Sequence, residues 1–152
     1  MTTELTTGSA AGITTGIAAG SATGTSAGPK DGGIEWTSSW IWRSRRVLAN
    51  DFAYFRKEFE ARAGIAAARM YVSAHNVAHV YVNGVKVNGY GTPAPTNPVQ
   101  RKLYSAYDVA GLLKEGANCI TADAHYLGGG GQNYVDGKPG FRLELHLVYA
   151  DG

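Results

Sequence analysis

At 152 residues, 44% hydrophobic and 17% charged, the chain is long enough for one domain with a real core and too short for two ordinary ones. A formal charge of +2 gives no strong field for nucleic acid or an anionic membrane, and no stretch approaches the roughly 20 apolar residues of a membrane span. The single Cys119 excludes an internal disulfide and a cysteine-based zinc site.

Residues 1–28 differ in kind from the rest: Glu4 is their only charged side chain and they contain no aromatic residue. From Gly8 a glycine recurs every fourth position, at Gly12, Gly16, Gly20, Gly24 and Gly28. Such a composition buries too little apolar surface to offset ordering entropy and reads as a flexible linker. Read as extended chain instead, one face carries only glycine and other small residues. The other face centres on Ile13, Thr15 and Ile17, a pattern suited to adding to a sheet edge of its own or of a neighbouring molecule. A glycine-striped helix is a third option, and a poor one in water. The N-terminus lacks the basic start and apolar block of a secretory signal, which leaves the compartment open.

Gly28-Pro29-Lys30-Asp31-Gly32-Gly33 is punctuation. It divides a tail, 1–33, from a domain, 34–152. Trp36, Trp40 and Trp42 follow; their spacing predicts a strand packing its indoles on the core, with a sugar-stacking platform as the alternative. Arg43, Arg45 and Arg46 lack aromatic interleaving and read as a solvated loop. Residues 53–60 read as a strand and 61–67 as a turn. From 68 to 87 come a strand, a second strand alternating from Val77, and Asn83-Gly84, which supplies the positive φ angles of a type I′ hairpin turn. Residues 88–98, with three prolines, form a long loop. Residues 101–107 resume the extended pattern, and Asp108 is placed to accept backbone N–H bonds from the turn that follows. Residues 118–126 form another strand; within it the run Cys119-Ile120-Thr121-Ala122 predicts a buried, inert thiol. A glycine-rich loop, 127–140, precedes the closing strand 141–149, whose Leu143, Leu145 and Leu147 face the core. The fold class is all-β, an antiparallel jelly-roll sandwich with a Gly/Ala/Thr-rich N-terminal tail.

No catalytic constellation emerges. Glycoside hydrolysis needs two carboxylates across one sugar, and Asp51, Asp108, Asp123 and Asp136 are scattered singly. His75, His79, His125 and His146 are also single and read as partly buried or surface residues. Neither a phosphate loop nor a nucleophile elbow is present.

Several motifs nevertheless occur together and in order. These are Trp40-Ile41-Trp42, Tyr54-Phe55-Arg56-Lys57-Glu58-Phe59, Ala68-Arg69-Met70-Tyr71-Val72-Ser73-Ala74 and Tyr81-Val82-Asn83-Gly84, then Tyr107-Asp108-Val109, Leu112-Leu113-Lys114-Glu115-Gly116-Ala117-Asn118 and Leu143-Glu144-Leu145. Over about residues 36–152 the chain resembles the N-terminal β-sandwich module of bacterial α-L-rhamnosidases. The resemblance implies a galactose-binding-like jelly roll. It also implies, from some members, binding of a terminal rhamnose with a calcium ion. That family's catalytic acid and base lie in a separate helical barrel, which nothing here matches. Its loops usually carry Gly-Trp and acidic residues; here they read Val87-Asn88-Gly89-Tyr90-Gly91 and, at 128–134, a glycine run ending in Tyr134.

The leading expectation is therefore a non-catalytic carbohydrate-binding-like module, its partner a rhamnose-containing glycan rather than nucleic acid or membrane. Loops 88–99 and 127–139 would form the binding end. Tyr90, Tyr126 or Tyr134 would stack on a sugar, and Asn97, Gln132, Asn133 and Asp136 would bond its hydroxyls. The composition supports no resident cofactor; calcium enters only through the resemblance. Two rival expectations stand beside it. One is a self-assembling subunit that is a homo-oligomer through its tail, and the other is a fragment of an active rhamnosidase.

Overall fold

The computed structural model describes residues 2–4, 13–17, 34, 36–89, 103–129 and 137–151, the first two segments by backbone alone. The strands are β1 (Thr2–Glu4), β2 (Ile13–Ile17), β3 (Asp51–Ala61), β4 (Ile65–Ala74), β5 (Val77–Val82), β6 (Val85–Lys86), β7 (Ser105–Asp108), β8 (Gly116–Tyr126) and β9 (Phe141–Tyr149). They form two sheets, ordered β1-β3-β8-β5-β6 and β2-β9-β4-β7. Pairing among β3 to β9 is antiparallel throughout. β1 and β2 run parallel to β3 and β9 and extend both sheets within the molecule. The architecture is the all-β sandwich that the alternation predicts, and no α-helix occurs among the described residues.

The period-two pattern builds the core directly. The first sheet turns mostly small side chains inward, Ala53, Ala78, Ala122 and Ala124, together with Val80 and Ile120. Opposite them lie larger ones, Met70, Val72, Leu143 and Leu145, so the two layers fill each other's space. Phe55 stacks on Phe141 across the layers, 4.9 Å between ring centroids. Each such buried Leu or Phe contributes about 1.5–3 kcal/mol.

The hairpin forms as its sequence requires: φ is 50° at Asn83 and 83° at Gly84. The Asn83 side chain also donates to Leu112 O and Asn118 Oδ1, both at 2.8 Å, and accepts from Cys119 N at 2.9 Å. Beyond two-residue β6, Asn88 takes over the ladder with its side chain. Its Oδ1 accepts from Val80 N at 2.8 Å and its Nδ2 donates to Ala78 O at 2.7 Å. Asp108 Oδ1 accepts from Ala110 N at 3.1 Å, as expected of that carboxylate.

Three local expectations are corrected. The turn at 61–67 contracts to 62–64, because a β-bulge between Ile65 and Ala67 lets β4 start earlier than residue 68. Cys119 is not buried: Ile120 and Ala122 take the inward positions, so the same alternation turns the thiol outward. The tryptophan segment makes an isolated bridge instead of a strand, and of its residues Trp42 packs its indole on the core, against Phe55. Ile41 takes the buried position in an isolated bridge with Phe141, its N and O bonding that residue at 3.0 and 2.9 Å. Trp40 is exposed as a result, and Trp42 is half-buried.

Just before that bridge, residues 36–38 cross the outside of the second sheet above β9. Beneath them Glu144 is 0% exposed. Its Oε1 accepts from Thr37 N and Ser38 N, each at 2.5 Å, and its Oε2 lies 3.1 Å from His146 Nε2. Arg142 donates from Nε to Ser38 Oγ at 3.0 Å and holds its guanidinium 4.4 Å from the Trp36 ring. Trp36 in turn meets Tyr104 edge-on at 5.8 Å. The outward polar row of β9 is thus a latch for the segment leading into the domain.

Candidate functional site

A cleft of about 730 Å³ lies at one end of the sandwich. There the segment before β3 meets the loop between β8 and β9. Trp42, Arg45, Leu48, Tyr126, Gly128 and Lys138 are among its lining residues.

Two sets of contacts hold the walls together. Asp51, the buried first residue of β3, accepts from Trp42 Nε1 at 3.0 Å and from Arg43 Nε at 3.1 Å, forming an ion pair with Arg43. Burial pushes the Asp51 carboxyl up, but the bonds from Arg43 and Trp42 outweigh it and hold the group below its ordinary value. On the opposite wall, Leu127 O accepts from Asn50 N at 3.1 Å and Leu127 N donates to Asn76 Oδ1 at 3.0 Å. The backbones approach so closely that a Cβ on Gly128, where φ is +76°, would lie 2.6 Å from Ala49 Cα. Only glycine fits that position.

Tyr126 is the one expected site residue among those described. Its ring is 9% exposed, packed edge-on against Trp42 at 6.5 Å and tilted on His75 at 5.6 Å. Its hydroxyl donates to Gly137 O at 2.7 Å, which fixes the residue in the wall of the cleft. Tyr90, Asn97, Gln132, Asn133, Tyr134 and Asp136 lie outside the described residues. Sequence reasoning missed Leu48 and Lys138, read Arg45 only as part of a solvated loop, and offered Trp42 a sugar-stacking role only as an alternative. Leu48, 68% exposed, stands beside two cations in a segment that reads as a solvated basic loop. Only its meeting with residues some 80 positions later reveals the cleft, and the one usable signal was the apolar pair Val47-Leu48 directly after the arginines.

Chemically the cleft combines an indole, a leucine, a proline and two cationic side chains, and no carboxylate lines it among the described residues. Among those residues, no group of three or more His, Cys, Asp or Glu side chains converges as metal ligands do. Such a surface suits a hydroxyl-rich ring with one apolar face.

The comparisons with known proteins agree in one direction. Residues 63–152 match the family described as the α-L-rhamnosidase N-terminal domain. An α-L-rhamnosidase of Formosa agariphila is 35% identical over 68 residues, 44% of this chain and 7% of that protein. The structure of a rhamnosidase of Bacillus sp. GL1 aligns with a TM-score of 0.69 at 27% identity, covering 76% of this chain and 12% of that one. Streptomyces avermitilis α-L-rhamnosidase, solved in complex with L-rhamnose, aligns with a TM-score of 0.60 at 27% identity, covering 70% of this chain and 11% of that one. The chain spans only a small fraction of the length of each of these proteins.

Proposed function

The chain belongs to the α-L-rhamnosidase N-terminal domain family, and from that premise we propose that it serves as a non-catalytic carbohydrate-binding module. Its end cleft would take a terminal sugar of a rhamnose-containing glycan. The observation that carries this reading is the lining: an indole edge and Leu48 for the apolar face of a ring, Arg45 and Lys138 for its oxygens. Hydrolysis would need two carboxylates flanking the scissile bond, and the described lining supplies none. The L-rhamnose complex of the Streptomyces avermitilis protein makes that sugar the natural first probe.

Calcium, which the resemblance implies, does not fit the described residues of this cleft. Calcium takes roughly 6–8 oxygen ligands, several of them carboxylates. Asp51 is already engaged by Arg43 and Trp42, and the cleft presents cations. No step is assigned to the ion.

Calorimetry of the full chain with L-rhamnose, with and without calcium, tests the proposal. Binding that Leu48→Ala and Arg45→Ala each weaken supports it; no heat at millimolar sugar refutes it. A second reading, self-association through the tail, is favoured by the parallel pairing of β1 and β2 at sheet edges. A segment that completes an edge in its own molecule can complete the same edge in another copy. On that reading, deleting residues 1–28 turns an assembled protein into a monomer; an assembly state unchanged by the deletion refutes it.

A further inference from the structure

The outer faces of the two sheets are treated differently. On the second, residues 36–38 lie over β9, and Trp36, Tyr71 and Tyr104 pack edge-on in a chain. On the first, Phe52 and Tyr54 stand 42% and 47% exposed. The outward face of an antiparallel sheet is ordinarily polar, so exposed rings in adjacent outward positions of one strand call for an explanation.

The registers place their neighbours. Tyr54 on β3 is opposite Asp123 on β8, and Asp123 is opposite His79 on β5. One row along, Arg56 is opposite Thr121, which is opposite Tyr81. Phe52 closes the row above, stacked on His125 with ring centroids 4.0 Å apart. With strands about 4.8 Å apart, Tyr54 and Tyr81 stand at opposite corners of a patch roughly 10 Å across, with Asp123 and Thr121 between them. The patch is hollow, about 260 Å³, lined by Tyr54, Arg56, Tyr81, Thr121 and Asp123. Among the described residues, the Tyr54, Tyr81 and Thr121 hydroxyls and the Asp123 carboxylate have no hydrogen-bond or ion-pair partner. Such groups, left unpaired by the fold and set between two aromatic rings, are what recognises a pyranose: a ring face for its C–H side, and donors and acceptors for its hydroxyls.

We propose that this outer face is a second saccharide site, separate from the end cleft, which takes a neutral pyranose ring against Tyr54 with its hydroxyls on Asp123 and Thr121. Neutrality follows from charge. Arg56 lines the hollow with Asp123 and is paired with Glu58, so the three charges sum to one negative and disfavour a uronate carboxylate. The end cleft, with Arg45 and Lys138, carries no such bar.

The test is an amide-resolved NMR titration of the full chain with methyl α-L-rhamnopyranoside as the neutral probe and sodium D-galacturonate as the acidic one. The neutral glycoside is expected to shift the amides at 54–56, 79–81 and 121–123, and galacturonate is expected to leave them in place. Tyr54→Ala and the isosteric Asp123→Asn should each weaken that response about tenfold, while Leu48→Ala leaves it unchanged. Amides of residues 48, 49, 128 and 129 report the end cleft separately, so either site can fail without the other. The proposal is overturned if the glycoside moves no amide on this face, if Tyr54→Ala responds like the parent, or if galacturonate binds here as well. It is also overturned if the face instead mediates self-association that Tyr54→Ala abolishes.

Discussion

Replacing Glu144 by Leu removes the acceptor beneath residues 36–38 and fills its place with an apolar group. The two backbone N–H groups of Thr37 and Ser38, each 2.5 Å from Oε1, then lose a charged partner. At about 1.5–3 kcal/mol per hydrogen bond to a charged group, the loss would reach ~3–6 kcal/mol if the segment stayed docked. It need not stay docked. Peeling away restores both donors to water and sacrifices only what else holds the segment, chiefly the Arg142–Trp36 and Trp36–Tyr104 contacts, worth about 0.5–1.5 kcal/mol each. The route of lower cost wins, so the expected net destabilisation is about 1–3 kcal/mol, accompanied by local release. Glu144→Gln keeps an acceptor oxygen and should lose about 1 kcal/mol. Urea unfolding measures the first quantity and hydrogen exchange at the Thr37 and Ser38 amides the second. Parental stability in Glu144→Leu, with both amides still protected, would refute the latch.

The same carboxylate makes stability depend on acid. Burial pushes its pKa up, but hydrogen bonds from Ser38, His146 and Thr37 outweigh that and hold it below the ordinary 4.5. A depressed folded pKa means that the contribution is complete above 4.5 and fades as pH falls through the folded value; urea midpoints across that range should show the decline, and Glu144→Gln should lack it. Asp51 behaves alike: the Trp42 indole N–H resonance should titrate only below 3.8, and the step should vanish in Asp51→Asn; titration at or above 3.8 would show that Arg43 does not hold the group. Gly128→Ala places a Cβ 2.6 Å from Ala49 Cα at a φ of +76°, so a loss of about 1–3 kcal/mol and a wider end cleft are expected; an unchanged melting temperature would count against the close approach.

Most of the scaffold was legible because two-residue alternation is written locally. Residues 141–149 could face only one way with leucine at 143, 145 and 147, and Asn83-Gly84 could join its strands only by a tight turn. The same rule also placed Cys119 outward, a consequence hidden by reading its apolar neighbours as a continuous run. What the alternation could not show is what covers an outward position. Glu144 sits where a solvated charge belongs, and it is buried only because a segment more than 100 residues earlier returns across it. The end cleft was obscured for the same reason: Leu48 and Gly128 acquire meaning only when two distant loops touch.

The carboxamide of Asn88 imitates a peptide unit, offering one acceptor and one donor to the free rim of β5. A rim finished by a side chain has no vacancy where a foreign strand could dock, so assembly along this border is discouraged without a further strand or a proline. It also uncouples the sheet from whatever the polypeptide does next. Insertions or deletions after Gly89 can accumulate without shifting the alignment of β5, leaving that stretch open to change while the scaffold stays fixed.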